Sequence, residues 1–326
     1  MKKATSETSP DISRIKQAAD KLVNNVTKVI VGKKETIELV LVALLCEGHV
    51  LIEDMPGIGK TMLAKAVAKS LGCSFKRIQA TPDLLPSDVT GIHYFNQKTS
   101  EFEFRPGPIM ANIVLVDEIN RATPRTQSCL LECMQEQQVT VDLETIPLPR
   151  PFLIIATQNP VELEGTFPLP EAQLDRFLLR VGLGYPTKDE EEVILSRFQH
   201  SNPLDNLTSV IKAAELLELQ KLCRHVYVDD SIRDYVTAIT RATRCHENIK
   251  LGASPRASLG LHLASQALAA IQGHGYVIPD DVKCLTVPAL AHRLIAKTEA
   301  RLRGQSLEAI VSEIVSTVPV PVEDQS

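Results

Sequence analysis

A glycine-rich stretch near residue 55 has the residue types that bind phosphate groups. It runs Glu53-Asp54-Met55-Pro56-Gly57-Ile58-Gly59-Lys60-Thr61. Glycines let several backbone N–H groups converge on one phosphate, and a helix N-terminus adds partial positive charge. A lysine can then reach the β- and γ-phosphate oxygens, and a hydroxyl can hold Mg²⁺. We predict a nucleotide-binding loop with these members: Pro56, Gly57, Ile58, Gly59, Lys60, Thr61 and Met62.

This loop departs from the strict G-x-x-x-x-G-K-[ST] pattern at its first position, where Asp54 replaces glycine. The alternative interpretation is a glycine-rich turn that only leads into a helix. An apolar run at 50–53 precedes the loop and a helical pattern at 60–71 follows it. This strand-loop-helix order favours phosphate binding, and we expect Lys60 to act in catalysis as well.

Two acidic residues, Asp117 and Glu118, follow the apolar run 113–116. A buried strand that ends in carboxylates can serve Mg²⁺ and a water molecule that attacks a phosphate. We expect Asp117 to hold Mg²⁺, partly through water, together with Thr61, and Glu118 to accept the proton of the attacking water. An acidic turn after a strand is the alternative, and the phosphate-binding loop upstream favours the catalytic interpretation.

Three further residues complete the predicted site. Asn159 follows the apolar run 152–156, where an amide at the end of a strand could orient the attacking water. Arg176 precedes the apolar run 177–181, and Arg256 begins a helical pattern after Ser254-Pro255. An arginine that reaches the γ-phosphate stabilises the charge of the transition state. The alternatives are an Asn-Pro turn and ordinary salt bridges.

Short apolar runs alternate with helical patterns in the first part of the chain, which predicts a parallel sheet covered by helices on both faces. Beyond about Pro186 the pattern is helical, at 187–199, 208–225, 229–246, 255–273 and 279–297. We therefore expect a disordered segment 1–9, an αβα nucleotide-binding core 10–186, an all-α domain 187–318 and a tail 319–326. Segments 92–105 and 138–149 read as hairpin inserts in the core.

Composition restricts the class of protein. With 44% hydrophobic and 23% charged residues, the chain resembles an ordinary soluble globular protein. A net charge of -5 without a dense basic run argues against nucleic acid as the main partner. No apolar run approaches the ~20 residues that span a bilayer, and no secretory signal is recognised. We expect a cytoplasmic protein whose seven cysteines are reduced.

Taken together, these motifs resemble the AAA+ ATPases, and four phrases resemble the MoxR branch of that family. The phrases are Glu53-Asp54-Met55-Pro56-Gly57, Glu118-Ile119-Asn120-Arg121-Ala122, Ala156-Thr157-Gln158-Asn159-Pro160 and Leu169-Pro170-Glu171-Ala172-Gln173-Leu174-Asp175-Arg176-Phe177. The resemblance covers roughly residues 10–315. This branch commonly lacks the first glycine of the loop, so Asp54 is in keeping with it.

The resemblance implies an ATP- and Mg²⁺-dependent ATPase, with a helical lid after the nucleotide-binding core and with ATP bound between subunits of a hexamer. Lys60 and Thr61 then match Walker A, Asp117 and Glu118 match Walker B, and Asn159 matches sensor 1. Arg176 matches an arginine finger that acts on a neighbour's site, and Arg256 matches sensor 2. Val31 and Gly32 fall where the family lines the adenine pocket.

The same resemblance implies a chaperone-like partner role. MoxR relatives act on proteins with von Willebrand factor type A domains, often in metal insertion or in the assembly of complexes. Two alternatives stay open: the motor subunit of a magnesium-chelatase-like complex, and a binding module in which ATP locks an assembly with little turnover. A DNA-remodelling role is least favoured, because the chain is acidic.

Overall fold

The computed structural model describes residues 11–142, 144–160 and 165–321. The predicted disordered segment 1–9, Leu143 of the second insert and most of the predicted tail lie outside these residues. Among the described residues, no helix combines the length and apolar composition needed to cross a membrane.

The first part of the chain alternates helices and strands, as the apolar pattern predicts. Its elements are α1 (Ser13–Val26), α2 (Lys34–Leu45), β1 (Val50–Glu53), α3 (Lys60–Ser70), β2 (Phe75–Gln79), α4 (Pro86–Thr90), β3 (Gly91–Asn96), β4 (Glu101–Pro106), β5 (Ile113–Asp117), α5 (Pro124–Glu136), β6 (Gln138–Val141), β7 (Glu144–Pro147), β8 (Leu153–Gln158), α6 (Glu171–Leu174) and β9 (Leu179–Val181).

Five of these strands form one parallel sheet in the order β2-β5-β8-β1-β9, which confirms the predicted αβα class. The register pairs Glu53 with Gln158 and Val116 with Ala156. The carboxyl ends of β1, β5 and β8 therefore lie side by side at one edge. In an open parallel sheet this edge is where ligands bind.

The central strands are buried on both faces, which explains their nearly continuous apolar sequences. Side chains of Ile52 and Leu115 join a core with α1, α2 and α3, whereas Leu51 and Val116 face a second core beneath α5. Alternate residues of a strand point to opposite faces. Packing on both faces thus fixes the positions of the strands, and with them the positions of the loops that leave the edge of the sheet.

Both predicted inserts are antiparallel hairpins that stay outside the main sheet. β3 pairs with β4, and β6 pairs with β7. The hairpins contact each other, since Nδ1 of His93 lies 3.0 Å from a carboxylate oxygen of Asp142. The first hairpin exposes Tyr94, Phe95 and Phe102.

The second part of the chain is a helical lid with one short ribbon. Its elements are α7 (Lys188–Phe198), α8 (Ala213–Cys223), α9 (Asp230–Cys245), β10 (Ile249–Leu251), α10 (Pro255–Gln272), α11 (Pro279–Leu290), β11 (Ile295–Ala296), α12 (Thr298–Leu302) and α13 (Leu307–Thr317). The helix expected at 208–225 begins only at Ala213. The helix expected at 279–297 ends at Leu290, because Ile295 and Ala296 pair instead with β10.

Helix α10 shows how local signals set the lid. Ser254 accepts a hydrogen bond from the N–H of Ala257, Pro255 occupies the first turn, and the helix ends at Gly273 with φ +91°. These are the N-cap, N1 and C′ preferences of an α-helix. Helices α1 and α2 pack on α10 and on α8, so the start of the chain contacts the lid as well as the sheet.

Candidate functional site

The phosphate loop, residues 54–61, connects β1 to the N-terminus of α3. Gly57 and Gly59 adopt φ +84° and +95°, a left-handed conformation that favours glycine. A Cβ added to either glycine would meet no heavy atom within 4 Å. Backbone conformation therefore requires the two glycines, and the space above them is open to a ligand that the first N–H groups of α3 can bind.

Lys60 begins α3 and points back along the loop. Its Nζ donates a hydrogen bond of 2.8 Å to the backbone carbonyl of Asp54. Burial lowers the pKa of the ammonium group, and the nearby carboxylates of Asp117, Asp54 and Glu118 oppose that shift. The amine is therefore within electrostatic range of Asp117, which ends β5, and of Glu118, the next residue.

Asp117 ends β5 and is held on two sides. Its Oδ1 accepts a hydrogen bond of 2.7 Å from the hydroxyl of Thr157. Its Oδ2 accepts two hydrogen bonds from Arg77 of β2, at 2.6 and 3.0 Å. Neither Thr157 nor Arg77 was assigned to the site from sequence, although Thr157 lies within a phrase that resembles the family.

Glu118 lies one residue further, in a left-handed conformation with φ 55° and ψ 49°. A residue other than glycine in this conformation is strained, and such strain clusters at functional sites. Its N–H donates to Thr157 Oγ1 over 2.8 Å. Its carboxylate accepts a hydrogen bond of 3.1 Å from Gln79 and lies 3.5 Å from Nη1 of Arg121. The carboxylate is thus engaged by residues on both sides.

All the predicted loop residues except Ile58, together with both acids and the amide, surround one cavity of about 180 Å³, here called the phosphate cavity. Its lining consists of Pro56, Gly57, Gly59, Lys60, Thr61, Met62, Asp117, Glu118 and Asn159. Asn159 is buried, with 6% of its surface exposed. The structure therefore brings together an ammonium group, a hydroxyl, two carboxylates and an amide that the sequence distributes over about a hundred positions.

A larger cavity of about 460 Å³, here called the apolar cavity, continues from the other side of the loop. Its lining consists of Val29, Ile30, Val31, Lys33, Pro56, Gly57, Ile58, Gly59, Met62, Leu183, Gly184, Tyr185, Pro186, Glu191, Ile194, Leu195 and Phe198. Val31, expected at an adenine pocket, lines this cavity. The residues of this lining could hold the base of a nucleotide whose phosphates occupy the phosphate cavity.

Gly32, the second residue expected at the adenine pocket, is the point at which α7 approaches the start of the chain. Gly32 adopts φ +72°, and a Cβ there would collide with the carboxylate of Glu190. That carboxylate also lies 3.6 Å from Nζ of Lys33. The contribution of α7 was not predicted from the sequence, although its apolar residues Ile194, Leu195 and Phe198 lie within the helical pattern 187–199.

Arg176 and Arg256 lie elsewhere. Among the described residues neither arginine lines the phosphate or the apolar cavity; both line a third cavity of about 240 Å³, the arginine cavity, next to Asp175 and Arg293. Within the described chain, the predicted nucleotide-binding residue Arg256 therefore does not line either cavity beside its own phosphate loop. The cause is local: Ser254, the N-cap of α10, donates to the Asp175 carboxylate at 3.0 and 3.1 Å.

The arginine cavity also contains nitrogen atoms without partners. Within the described chain, Nε of Arg176 and Nη1 of Arg293 are buried and have no hydrogen-bond partner. Nε of Arg293 lies 3.6 Å from Asp175, and burial lowers the pKa of this guanidinium to about 10 despite that carboxylate. Buried polar atoms without partners are rare in folded proteins, which marks this cluster of arginines as a candidate functional site.

Comparisons with known proteins agree with this geometry. The model of the ATPase family associated with various cellular activities (AAA) matches residues 49–179, and the AAA lid domain model matches residues 241–314. The uncharacterized protein YeaC of Bacillus subtilis is 54% identical over 93% of this chain and 95% of its own length. Chaperone MoxR1 of Mycobacterium tuberculosis is 41% identical over 93% of this chain and 82% of its own length.

A solved structure supports the same assignment. A crystal structure from Cytophaga hutchinsonii, described provisionally as that of an ATPase, has 37% sequence identity to this chain and superimposes on it with a TM-score of 0.90. The match covers 96% of this chain and 97% of the other chain. The two matching family models correspond to the sheet domain and to the lid. The chain therefore belongs to the MoxR family of AAA+ ATPases.

Proposed function

We propose that this protein binds Mg²⁺ and ATP at the phosphate loop and hydrolyses ATP at sites shared between neighbouring subunits. The observation that carries the proposal is the phosphate cavity, where Lys60, Thr61, Asp117, Glu118 and Asn159 meet at the carboxyl edge of the sheet. The open space above the loop glycines and the adjoining apolar cavity fit the phosphates and the base of ATP.

Each of these five residues of the phosphate cavity has a chemical role in the proposal. Lys60 neutralises the β- and γ-phosphate oxygens, and Thr61 and Asp117 would hold Mg²⁺ with water, which supplies further charge neutralisation when bound. Glu118 accepts the proton of the attacking water, and Gln79 can still donate to the other oxygen of its carboxylate. Asn159 orients that water.

The arginine cavity supports the proposal that each ATP site is completed by residues of another subunit. Among the described residues, Arg176 and Arg256 line the arginine cavity and do not line the phosphate cavity of their own chain. An arginine supplied by a neighbour can stabilise the charge that develops on the γ-phosphate. We propose that both arginines act on a neighbouring subunit in a closed homo-oligomeric ring, with six subunits as in the family that the sequence resembles.

The work done by hydrolysis is proposed to be the remodelling or assembly of a protein partner. One relative that matches 93% of this chain is named a chaperone, and we extend the family expectation of a partner with a von Willebrand factor type A domain. The match to a magnesium-chelatase subunit ChlI homolog from Methanocaldococcus jannaschii is 28% identical over 62% of this chain. The chaperone role is therefore preferred to a chelatase motor.

The first test measures ATPase rate per chain against protein concentration in the presence of Mg²⁺, with Glu118→Gln as the control. A rate per chain that rises with concentration and is absent in the control supports shared sites. No turnover at any concentration would favour the module that binds ATP with little hydrolysis.

A mixing experiment tests the direction of the arginines. Every site in a ring of Arg176→Ala lacks the arginine, and every site in a ring of Glu118→Gln lacks the acid. Each variant alone is therefore expected to be inactive. In mixed rings about a quarter of the interfaces would combine an intact acid with an intact arginine, and activity should return. A mixture as inactive as its components would contradict action on a neighbouring subunit.

A further inference from the structure

Asp54 makes contacts that the glycine of the strict phosphate-loop pattern could not make. Its Oδ2 accepts hydrogen bonds from the backbone N–H groups of Leu183 and Gly184, at 2.6 and 2.7 Å. Its Oδ1 accepts the N–H of Met55 at 3.0 Å. One carboxylate therefore joins the first residue of the phosphate loop to a segment about 130 positions later.

The segment that Asp54 holds has few other restraints from the sheet. Pairing of β1 with β9 ends at Ile52 and Val181, and the next residues include Gly182 and Gly184, the latter at φ +63°. Glycines give a chain high conformational freedom, which costs entropy when it is ordered. Hydrogen bonds to a carboxylate are stronger than those to neutral acceptors, so Asp54 can offset that cost.

This segment is also a wall of the apolar cavity. Leu183, Gly184, Tyr185 and Pro186 line it opposite the loop residues. We propose that Asp54 is a positioning residue that holds this wall in place for the base of the nucleotide. The inference rests on the proposed ATP site and explains why an aspartate occupies the position of the missing glycine.

Neither the conformation of the phosphate loop nor the backbone acceptor of Lys60 requires the side chain of Asp54. Lys60 donates to the backbone carbonyl of Asp54, which any residue at position 54 would supply. The loop conformation comes from Gly57 and Gly59. Removing the carboxylate should therefore weaken the binding of the base without weakening the binding of phosphates, because the Asp54 carboxylate is a negative charge near Lys60.

The experiment compares the parent with Asp54→Gly, which restores the strict pattern, and with Asp54→Asn, which keeps one acceptor oxygen. Dissociation constants are measured for ATP, ADP and inorganic tripolyphosphate, each with Mg²⁺, alongside KM and kcat for ATP. For Asp54→Gly we expect ATP and ADP to bind about tenfold more weakly, as expected when a preorganised wall is lost. KM should rise with kcat unchanged, and Asp54→Asn should fall between the two.

Tripolyphosphate should bind Asp54→Gly at least as tightly as it binds the parent. If Asp54→Gly weakens the binding of tripolyphosphate as much as the binding of ATP, the Asp54 side chain shapes the phosphate loop and the proposal is overturned. Equal ATP affinity in the parent and Asp54→Gly also overturns it. If Asp54→Gly does not fold, Asp54→Asn decides by the same comparison. A parent that binds no ATP would instead reject the proposed function, and this inference with it.

Discussion

Arg77 on β2 lies 2.6 Å from a carboxylate oxygen of Asp117 on the neighbouring strand. The acid that we assign to Mg²⁺ is therefore paired with a side-chain cation. The arginine is about half-exposed and the aspartate mostly buried, at 48% and 13% of their side-chain surfaces. Solvent weakens such a pair, so Mg²⁺ can compete with it.

We expect Arg77→Gln to lower the Mg²⁺ concentration for half-maximal ATPase activity by about threefold, since glutamine carries no charge to compete for Asp117. A Mg²⁺ titration at saturating ATP measures this. Lys76→Gln is the matched control, because it removes the same charge from the opposite face of the same strand. An unchanged requirement in Arg77→Gln would show that the pair does not compete with the metal.

Thr157 positions both acids through one hydroxyl, which donates to Asp117 and accepts the N–H of Glu118. Thr157→Val should lower kcat about 10- to 100-fold by misplacing the two carboxylates. It should also lower the free energy of unfolding by about 1–3 kcal/mol, because buried polar groups lose partners. The affinity for ATP should stay near that of the parent.

Steady-state kinetics and denaturant unfolding measure the two effects. Thr157→Ser keeps the hydroxyl and is expected to retain most of kcat. The positioning role would be rejected if the serine and valine variants turned over ATP at the same rate.

Substitutions of Lys60 and of Glu118 should impair different steps of the reaction. Lys60→Ala should weaken nucleotide binding, whereas Glu118→Gln should bind ATP and lose at least about 100-fold in kcat. Binding titrations and phosphate-release assays separate the two outcomes. Lys65→Ala removes a charge from the same helix outside the phosphate cavity and should resemble the parent. Parental turnover in either Lys60→Ala or Glu118→Gln would contradict the site assignment.

His49 makes the stability of the sheet depend on pH. Its Nδ1 accepts the N–H of Ile154 and its Nε2 lies 3.0 Å from the carbonyl of Met134, which selects the neutral ring. Burial lowers its pKa from 6.5 to about 4. The unfolded chain therefore binds a proton before the folded chain does, and stability present above pH 6.5 is lost as pH falls toward about 4.

A shift of this size corresponds to about 3 kcal/mol. Chemical denaturation between pH 7 and pH 4 measures it. In His49→Gln the pH slope should become shallower, whereas His200→Gln, on the exposed surface, should keep the parental slope. Some slope should remain in His49→Gln, because burial also lowers the pKa of His292, to about 3. Identical slopes in the parent and His49→Gln would rule out this role.

Local rules in the sequence were sufficient for the parallel sheet, the helical lid and the composition of the phosphate loop. The runs at Val50–Glu53 and Ile113–Asp117 are short and apolar because both faces of each strand are buried. Glycines at 57 and 59 are needed for positive φ. These features depend on neighbours within a few residues, so spacing and residue type reveal them.

Tertiary structure alone decided which distant side chains meet. Thr157 joins Asp117 across 40 positions, and Asp54 joins Leu183 across 129. Arg256 faces the arginine cavity because Asp175 binds the cap of its helix. Such contacts depend on strand order and on how the lid packs, and no periodicity in a single segment encodes either. The sequence by itself determined the chemical groups of the site, and the fold determined which of them share a cavity.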